Sequence, residues 1–208
     1  MKSALLLVDL QNDFCSGGAL AVQESEKVID TANKAIDICL KNNIKIIASQ
    51  DWHPATHLSF ANNSGTQIGD IGDLNGIPQV WWPVHCVQGE IGSDFHPELN
   101  IQAIDEIFTK GENHQVDSYS AFFDNDQVTQ TRLHQWLQQQ QITHLIVMGI
   151  ATDYCVKFTV LDALTLGYQV DVLTDGCRGV NLSAQDSQNA LLEMQKSGAK
   201  LITLNTLS

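Results

Sequence analysis

LIVMGIATDYCVKFTVLDALTLGYQVDVLT, residues 145–174, carries the reading on which the fold rests. An unbroken apolar run, Leu145–Met148, leads through a short turn into a helix-period segment at 154–166. Gly167 stands where that helix should stop, and a second apolar run, Val170–Thr174, begins just after it. Neither run alternates apolar with polar residues, as a strand with one wet face would. Continuous apolar strands joined through a helix describe a parallel β-α-β unit whose sheet is covered on both faces.

The same alternation extends in both directions. Runs at Ala4–Val8, Lys45–Ser49, Glu106–Thr109 and Leu201–Leu204 predict further strands, and helices are expected over 24–42, 126–140 and 184–197. In the first of these helices Val28, Ala32, Ala35, Ile36 and Cys39 recur at helical spacing, and Gly198 closes the last. The expected fold is α/β, a three-layer α/β/α arrangement around a mostly parallel sheet of about six strands. No linker or repeat interrupts it, so residues 1–208 are expected to form one domain. A chain of this size buries an adequate core without disulfides or a structural metal, so any metal would serve chemistry.

Composition removes several function classes. Acidic residues number 24 against 11 basic, a formal charge of −13, and no Lys/Arg-rich run exists. Nucleic acid and anionic membranes are therefore excluded as expected partners. No apolar stretch approaches the length of a bilayer span, and the N-terminal apolar run, broken by Asp9, reads as a core strand rather than a signal peptide. The five cysteines (Cys15, Cys39, Cys86, Cys155 and Cys177) are odd in number and include no CxxC. That pattern argues against a disulfide framework or zinc ribbon and for a reduced, cytoplasmic setting. Monomer and homo-oligomer stay equally open.

One stretch breaks the rhythm. Residues 51 to 105 form a long connection rich in Gly, Asn, His, Pro and Trp, and it holds four of the seven histidines. Long irregular segments inside compact domains are usually functional. DWHPATH at 51–57 supplies Asp51, His53 and His57, and WWPVHC at 81–86 adds His85. One carboxylate and three imidazoles suit zinc, iron or manganese better than calcium or magnesium. Asp51 and His53, alternate residues of an extended segment, point the same way, and Pro54 stiffens the turn that returns His57. Locally bonded surface histidines explain a pair more readily than four potential ligands.

Ligands of a doubly wound sheet bind beyond the carboxyl ends of its strands. Asp9 follows the first strand, Asp51 the second and Lys110 the third, and Cys155 opens the helix after the fourth. A helix N-terminus favours a thiolate, and its N–H groups can hold an oxyanion. A free cysteine is most often a small core residue. A carboxylate base and an ammonium nearby shift that balance, because a thiol of ordinary pKa near 8.5 needs both to become a nucleophile. Phe14, Trp52, Trp81, Trp82 and Tyr119 are candidates to wall a pocket for a flat ring, whereas Phe122 and Phe123 read as core.

At these residues the chain resembles the nicotinamidase branch of the isochorismatase-like cysteine hydrolases. The resemblance is carried by LLVDLQNDF at 6–14, DWHPATH at 51–57, WWPVHCVQG at 81–89, KGENHQVDSYSAFFDN at 110–125, GIATDYCVKFTVLDAL at 149–164 and TDGCRGV at 174–180. Each motif is modest, but together, in this order, they are highly specific. The resemblance implies a catalytic triad of Asp9, Lys110 and Cys155, and an oxyanion hole from the amides of Ala151 and Cys155 behind a cis Ile150–Ala151 peptide. It implies Asp51, His53, His57 and His85 as ligands of one divalent ion, zinc first, with iron or manganese as alternatives. Phe14, Trp82 and Tyr119 would border the substrate. The implied reaction is hydrolysis of nicotinamide to nicotinate and ammonia in NAD salvage, with pyrazinamide as a further substrate. Two rivals stand beside it: another superfamily hydrolase with a different small substrate, and a non-catalytic metal- or thiol-binding protein.

Overall fold

The computed structural model describes residues 2–207. Its elements run β1 (Ser3–Val8), α1 (Ser25–Lys41), β2 (Lys45–Asp51), α2 (Ala61–Ser64), β3 (Ile71–Leu74), β4 (Ile77–Val80) and β5 (Glu106–Lys110). They continue with α3 (Leu133–Gln139), β6 (His144–Ile150), α4 (Lys157–Thr165), β7 (Gln169–Arg178), α5 (Asp186–Lys196) and β8 (Lys200–Ile202). Six strands form one sheet in the order β5-β2-β1-β6-β7-β8, every neighbouring pair parallel. The α/β fold expected from the strand pattern is the one observed. Strand order reverses between β2 and β6 on either side of β1, and at such a reversal the connections leave a crevice above the sheet.

The apolar runs explain the layering. Ala4 to Val8 are fully buried, so both faces of β1 are covered. The stripe Val28, Ile29, Ala32, Ala35, Ile36 and Cys39 turns α1 inward across β1, β2, β6 and β7. Helices α4 and α5 pack on each other and against β7 and β8 respectively. Gly149 has φ +140, and a Cβ there would lie 2.2 Å from the Val8 carbonyl oxygen. Only glycine lets β6 run this close to β1 directly beneath the crevice. No helix among the described residues is long and apolar enough to cross a membrane.

Strand ends shift by a few residues, β7 running on to Arg178, and three regions differ more in kind. The helix expected over 126–140 occupies only Leu133–Gln139. Ahead of it the Asp126 carboxylate accepts the Val128 N–H at 2.9 Å and Thr131 Oγ1 accepts the Leu133 N–H at 3.1 Å. Such side-chain bonds compete with a helical ladder. The helix expected over 154–166 begins instead as a wide π turn, Thr152–Val156, before α4. The connection at 51–105 is not wholly irregular, for it contains the antiparallel hairpin β3–β4. Asn75 and Gly76 sit at its turn with φ of +55 and +86, the geometry an Asn-Gly pair favours.

Candidate active site

Strand ends build the site. Asp51 and Lys110 are the last residues of β2 and β5 and are register partners across that ladder. Asp9 follows β1 in a left-handed conformation, φ +50, which turns its side chain off the strand path. Cys155 lies in the π turn after β6, just beyond the cis Ile150–Ala151 peptide. These four residues, far apart in the chain, meet around one ammonium group. Lys110 Nζ donates to Asp51 Oδ1 at 2.8 Å and to the Ser118 carbonyl at 2.9 Å, and it stands 3.6 Å from Cys155 Sγ. Asp9 Oδ2 is 3.0 Å away, an ion pair lying off the axis of a hydrogen bond, so this buried oxygen keeps a lone pair unused. Its partner Oδ1 accepts the Ser49 hydroxyl at 2.6 Å.

Burial dominates the electrostatics. It pushes the Cys155 thiol well above its ordinary pKa, with Lys110 opposing and Asp9 adding to the rise. Burial also raises Asp9, while Lys110 pulls it back. The rise at Asp9 makes its carboxylate a stronger base than an exposed one, which would be too weak to take a thiol proton. Burial alone would lower Lys110, but Asp51 and Asp9 outweigh it and hold the ammonium charged. Asp51 feels the same burial upward and is nevertheless held well below the carboxylate range by His53 and Lys110.

Beside the triad, two imidazoles converge on Asp51. His53 Nε2 lies 3.0 Å and His85 Nε2 3.4 Å from Asp51 Oδ2. Their Nδ1 atoms face the carbonyl oxygens of Gly111 and Pro83, both at 2.8 Å. A carbonyl only accepts, so each Nδ1 carries a proton and Nε2 is the nitrogen left to face the carboxylate, where it offers a lone pair to a metal once it carries no proton of its own. These three ligand atoms lie within 4.8 Å of one another, close enough for one cation to take the place of the protons between them. The donor set therefore fits a divalent metal of the nitrogen- and oxygen-liking kind. Gly111 shapes this pocket too: with φ +71, it passes so close that a Cβ would lie 2.4 Å from His53 Cε1.

His57, the fourth expected ligand, sits in a second candidate metal group with His53 and Asp117. Its Nδ1 accepts the Ser59 N–H at 3.1 Å, so in the neutral ring the proton sits on Nε2, which faces the Val116 carbonyl at 3.3 Å. Burial lowers this histidine to a pKa of about 4 and keeps it neutral. Its ring lies 4.4 Å from that of His53, and its nitrogens group with His53 and Asp117, apart from Asp51 and His85. Both of its nitrogens are engaged in this arrangement.

Phe14, Trp82 and Tyr119 line one cavity with Cys155, Ala151 and His85. The sequence reading missed several contributors, Leu20 and Ser118 of the cavity lining among them. Tyr154 closes the aromatic wall, its ring 4.9 Å from Trp82 and 5.3 Å from Tyr119; its place beside Cys155 was the available signal. Asp117 also lines the cavity, held by the Gln79 amide at 2.7 Å. Val180 lines it as well, and nothing local marks it. Gln11 acts as a substitute strand, its side chain donating to the Asp51 carbonyl at 2.7 Å and accepting the Asp51 N–H at 2.8 Å.

Comparison with known proteins places this geometry in company. The isochorismatase domain matches residues 3–206. The nicotinamidase of Escherichia coli (strain K12) is 59% identical over 201 residues, covering 97% of this chain and 94% of that protein. Among solved structures, a nicotinamidase/pyrazinamidase of Acinetobacter baumanii superposes with TM-score 0.94 at 39% identity, covering 100% of this chain and 98% of the other. A pyrazinamidase of Pyrococcus horikoshii in complex with zinc superposes with TM-score 0.80 at 33% identity, covering 98% and 99%.

Proposed function

The chain belongs to the isochorismatase-domain family, and we propose that it is a cysteine amidohydrolase that converts nicotinamide to nicotinate and ammonia. One observation carries the reading: a buried thiol lies 3.6 Å from an ammonium that is itself 3.0 Å from a carboxylate with a free lone pair. Nucleophile, cation and base are the parts acyl transfer needs. The whole chain, residues 1–208, is read as one such domain, acting in the cytoplasm in NAD salvage, with pyrazinamide as a second substrate.

Asp9 takes the proton of Cys155 while Lys110 holds the developing thiolate. The thiolate attacks the carboxamide carbon, and the N–H groups of Ala151 and Cys155 receive the oxyanion. Asp9 then returns its proton to the leaving nitrogen, the C–N bond breaks and ammonia departs. Water hydrolyses the thioester, releasing nicotinate and restoring the thiol. Asp51, His53 and His85, with His57 beside His53 as the fourth expected ligand, would hold one divalent metal, zinc first. When bound, the metal supplies a Lewis-acid anchor for the pyridine nitrogen. Phe14, Trp82 and Tyr119 hold the ring and keep water from its faces.

The test is direct. Purified protein should release equal amounts of ammonia and nicotinate from nicotinamide, and Cys155→Ala should abolish release while retaining fold and bound metal. Turnover of other small amides with none of nicotinamide would replace the substrate; full activity in Cys155→Ala would remove the nucleophile.

A further inference from the structure

Asp13 is no part of the triad or the ligand set, yet both walls of the pocket hold it. Its Oδ2 accepts the backbone N–H of Cys86 at 2.7 Å, the residue directly after His85. Its Oδ1 accepts the N–H of Ala19 at 3.3 Å, and its own carbonyl accepts the N–H of Leu20 at 2.9 Å. These bonds close the loop that bears Phe14 and Leu20, two residues of the cavity wall. Gly92 covers the carboxylate so closely that a Cβ there would lie 2.1 Å from Oδ2. Cys86 itself has φ +46, a conformation that a non-glycine residue keeps only where its surroundings fix it. Across this junction the rings of Phe14 and His85 are 5.7 Å apart.

A carboxylate that only capped its own turn would need the Ala19 bond alone. Here the shorter bond reaches a residue 73 positions away. We infer that Asp13 is a positioning residue: it clamps the His85–Cys86 segment to the Phe14–Leu20 loop, so that the metal ligand and the ring-binding wall keep one relative placement. The inference rests on the metal site proposed above. Charge-assisted bonds to backbone N–H groups are among the stronger ones in proteins, and outer partners of ligands change metal affinity by about 10–100-fold.

The experiment compares zinc affinity, by competition with a chromogenic chelator, and the kcat and KM for nicotinamide at saturating zinc. Asp13→Ala should weaken zinc about tenfold and raise KM more than it lowers kcat, because Asp9, Lys110 and Cys155 are untouched. Asp13→Asn, which keeps one acceptor for the Cys86 N–H, should recover part of both losses but remain severalfold weaker than wild type. Gly92→Ala leaves Asp13 in place but displaces its carboxylate, and should move both quantities in the same direction. A purely structural role would lower the melting temperature while zinc affinity and KM stayed at wild-type values below the melt, and that result overturns the inference. Should Asp13→Ala fail to fold, wild-type zinc affinity and KM in Asp13→Asn overturn it equally. A wild-type chain that binds no zinc overturns the metal site and this inference together; wild-type zinc binding with unchanged variants overturns this inference alone.

Discussion

Asp51 and Lys110 end neighbouring parallel strands in direct register, and their side chains meet at 2.8 Å in the buried crevice. The ladder thus sets an ion pair that joins the metal ligands to the nucleophile. Removing the ammonium strands two buried carboxylates, Asp9 and Asp51. Lys110→Met should lower unfolding free energy by about 3–5 kcal/mol, the usual cost of breaking a buried pair from one side. It should also abolish ammonia release. A denaturation midpoint equal to wild type would show that the ammonium bears no such load.

The tautomers assign unequal weight to the histidines. His53→Ala and His85→Ala each remove a ring nitrogen that faces Asp51, and chelator competition should show zinc binding lost or weakened at least about tenfold. His57→Ala should cost less, since both its nitrogens are already engaged. Equal losses for all three variants would make His57 a ligand of equal weight.

Chelation should spare the fold. The core around β1 and β6 is fully buried and includes no metal ligand, so metal-free protein should keep its far-ultraviolet circular dichroism and melt cooperatively at a lower temperature. Nicotinamide turnover should fall on chelation and return with zinc. Collapse of the circular dichroism signal on metal removal would give the metal a structural role instead.

Tyr154 lies against Trp82 and Tyr119 and touches the cavity, but none of the reacting groups depends on its hydroxyl in the proposed steps. Tyr154→Phe should leave KM within about twofold of wild type, whereas Tyr154→Ala opens the wall and should raise KM roughly tenfold with a smaller change in kcat. Steady-state kinetics on nicotinamide decides between them.

Asp124, near Lys110 but outside the triad, offers a pH signature. Burial raises its pKa from 3.8 to about 6. Between those values the folded chain keeps a proton that the unfolded chain has released, so its contribution to stability falls as pH rises through the window and stays lost above it. Asp124→Asn should remove that slope, melting above wild type at pH 7 and close to it near pH 4. Parallel melting curves for the two proteins across this range would show that Asp124 titrates normally.

Much of this was legible in the chain because the signals were strong and local. Buried parallel strands need continuous apolar runs, and Leu5, Leu6 and Leu7 supply one whichever face they take. Asp9, Lys110 and Cys155 were visible because reactive groups sat where strands should end. Less was legible where local and tertiary preferences compete. The start of α3 was obscured by Asp126 and Thr131, whose side chains bond the backbone that a helix would use. The β3–β4 hairpin did carry an Asn-Gly signal, overlooked within a stretch read as loop. The parts played by His57 and Gln11 depend on what each nitrogen and amide faces, and only three dimensions reveal that.

The outermost position of β5 has an operational consequence. This strand of five residues is hydrogen-bonded on one side only, to β2, and it carries Lys110 at its tip. Border strands detach at lower free energy than the interior of a sheet. Any loosening of β5 would carry the lysine off with it and silence the enzyme while the interior strands still stand, so working temperature depends on the rim as well as on the core.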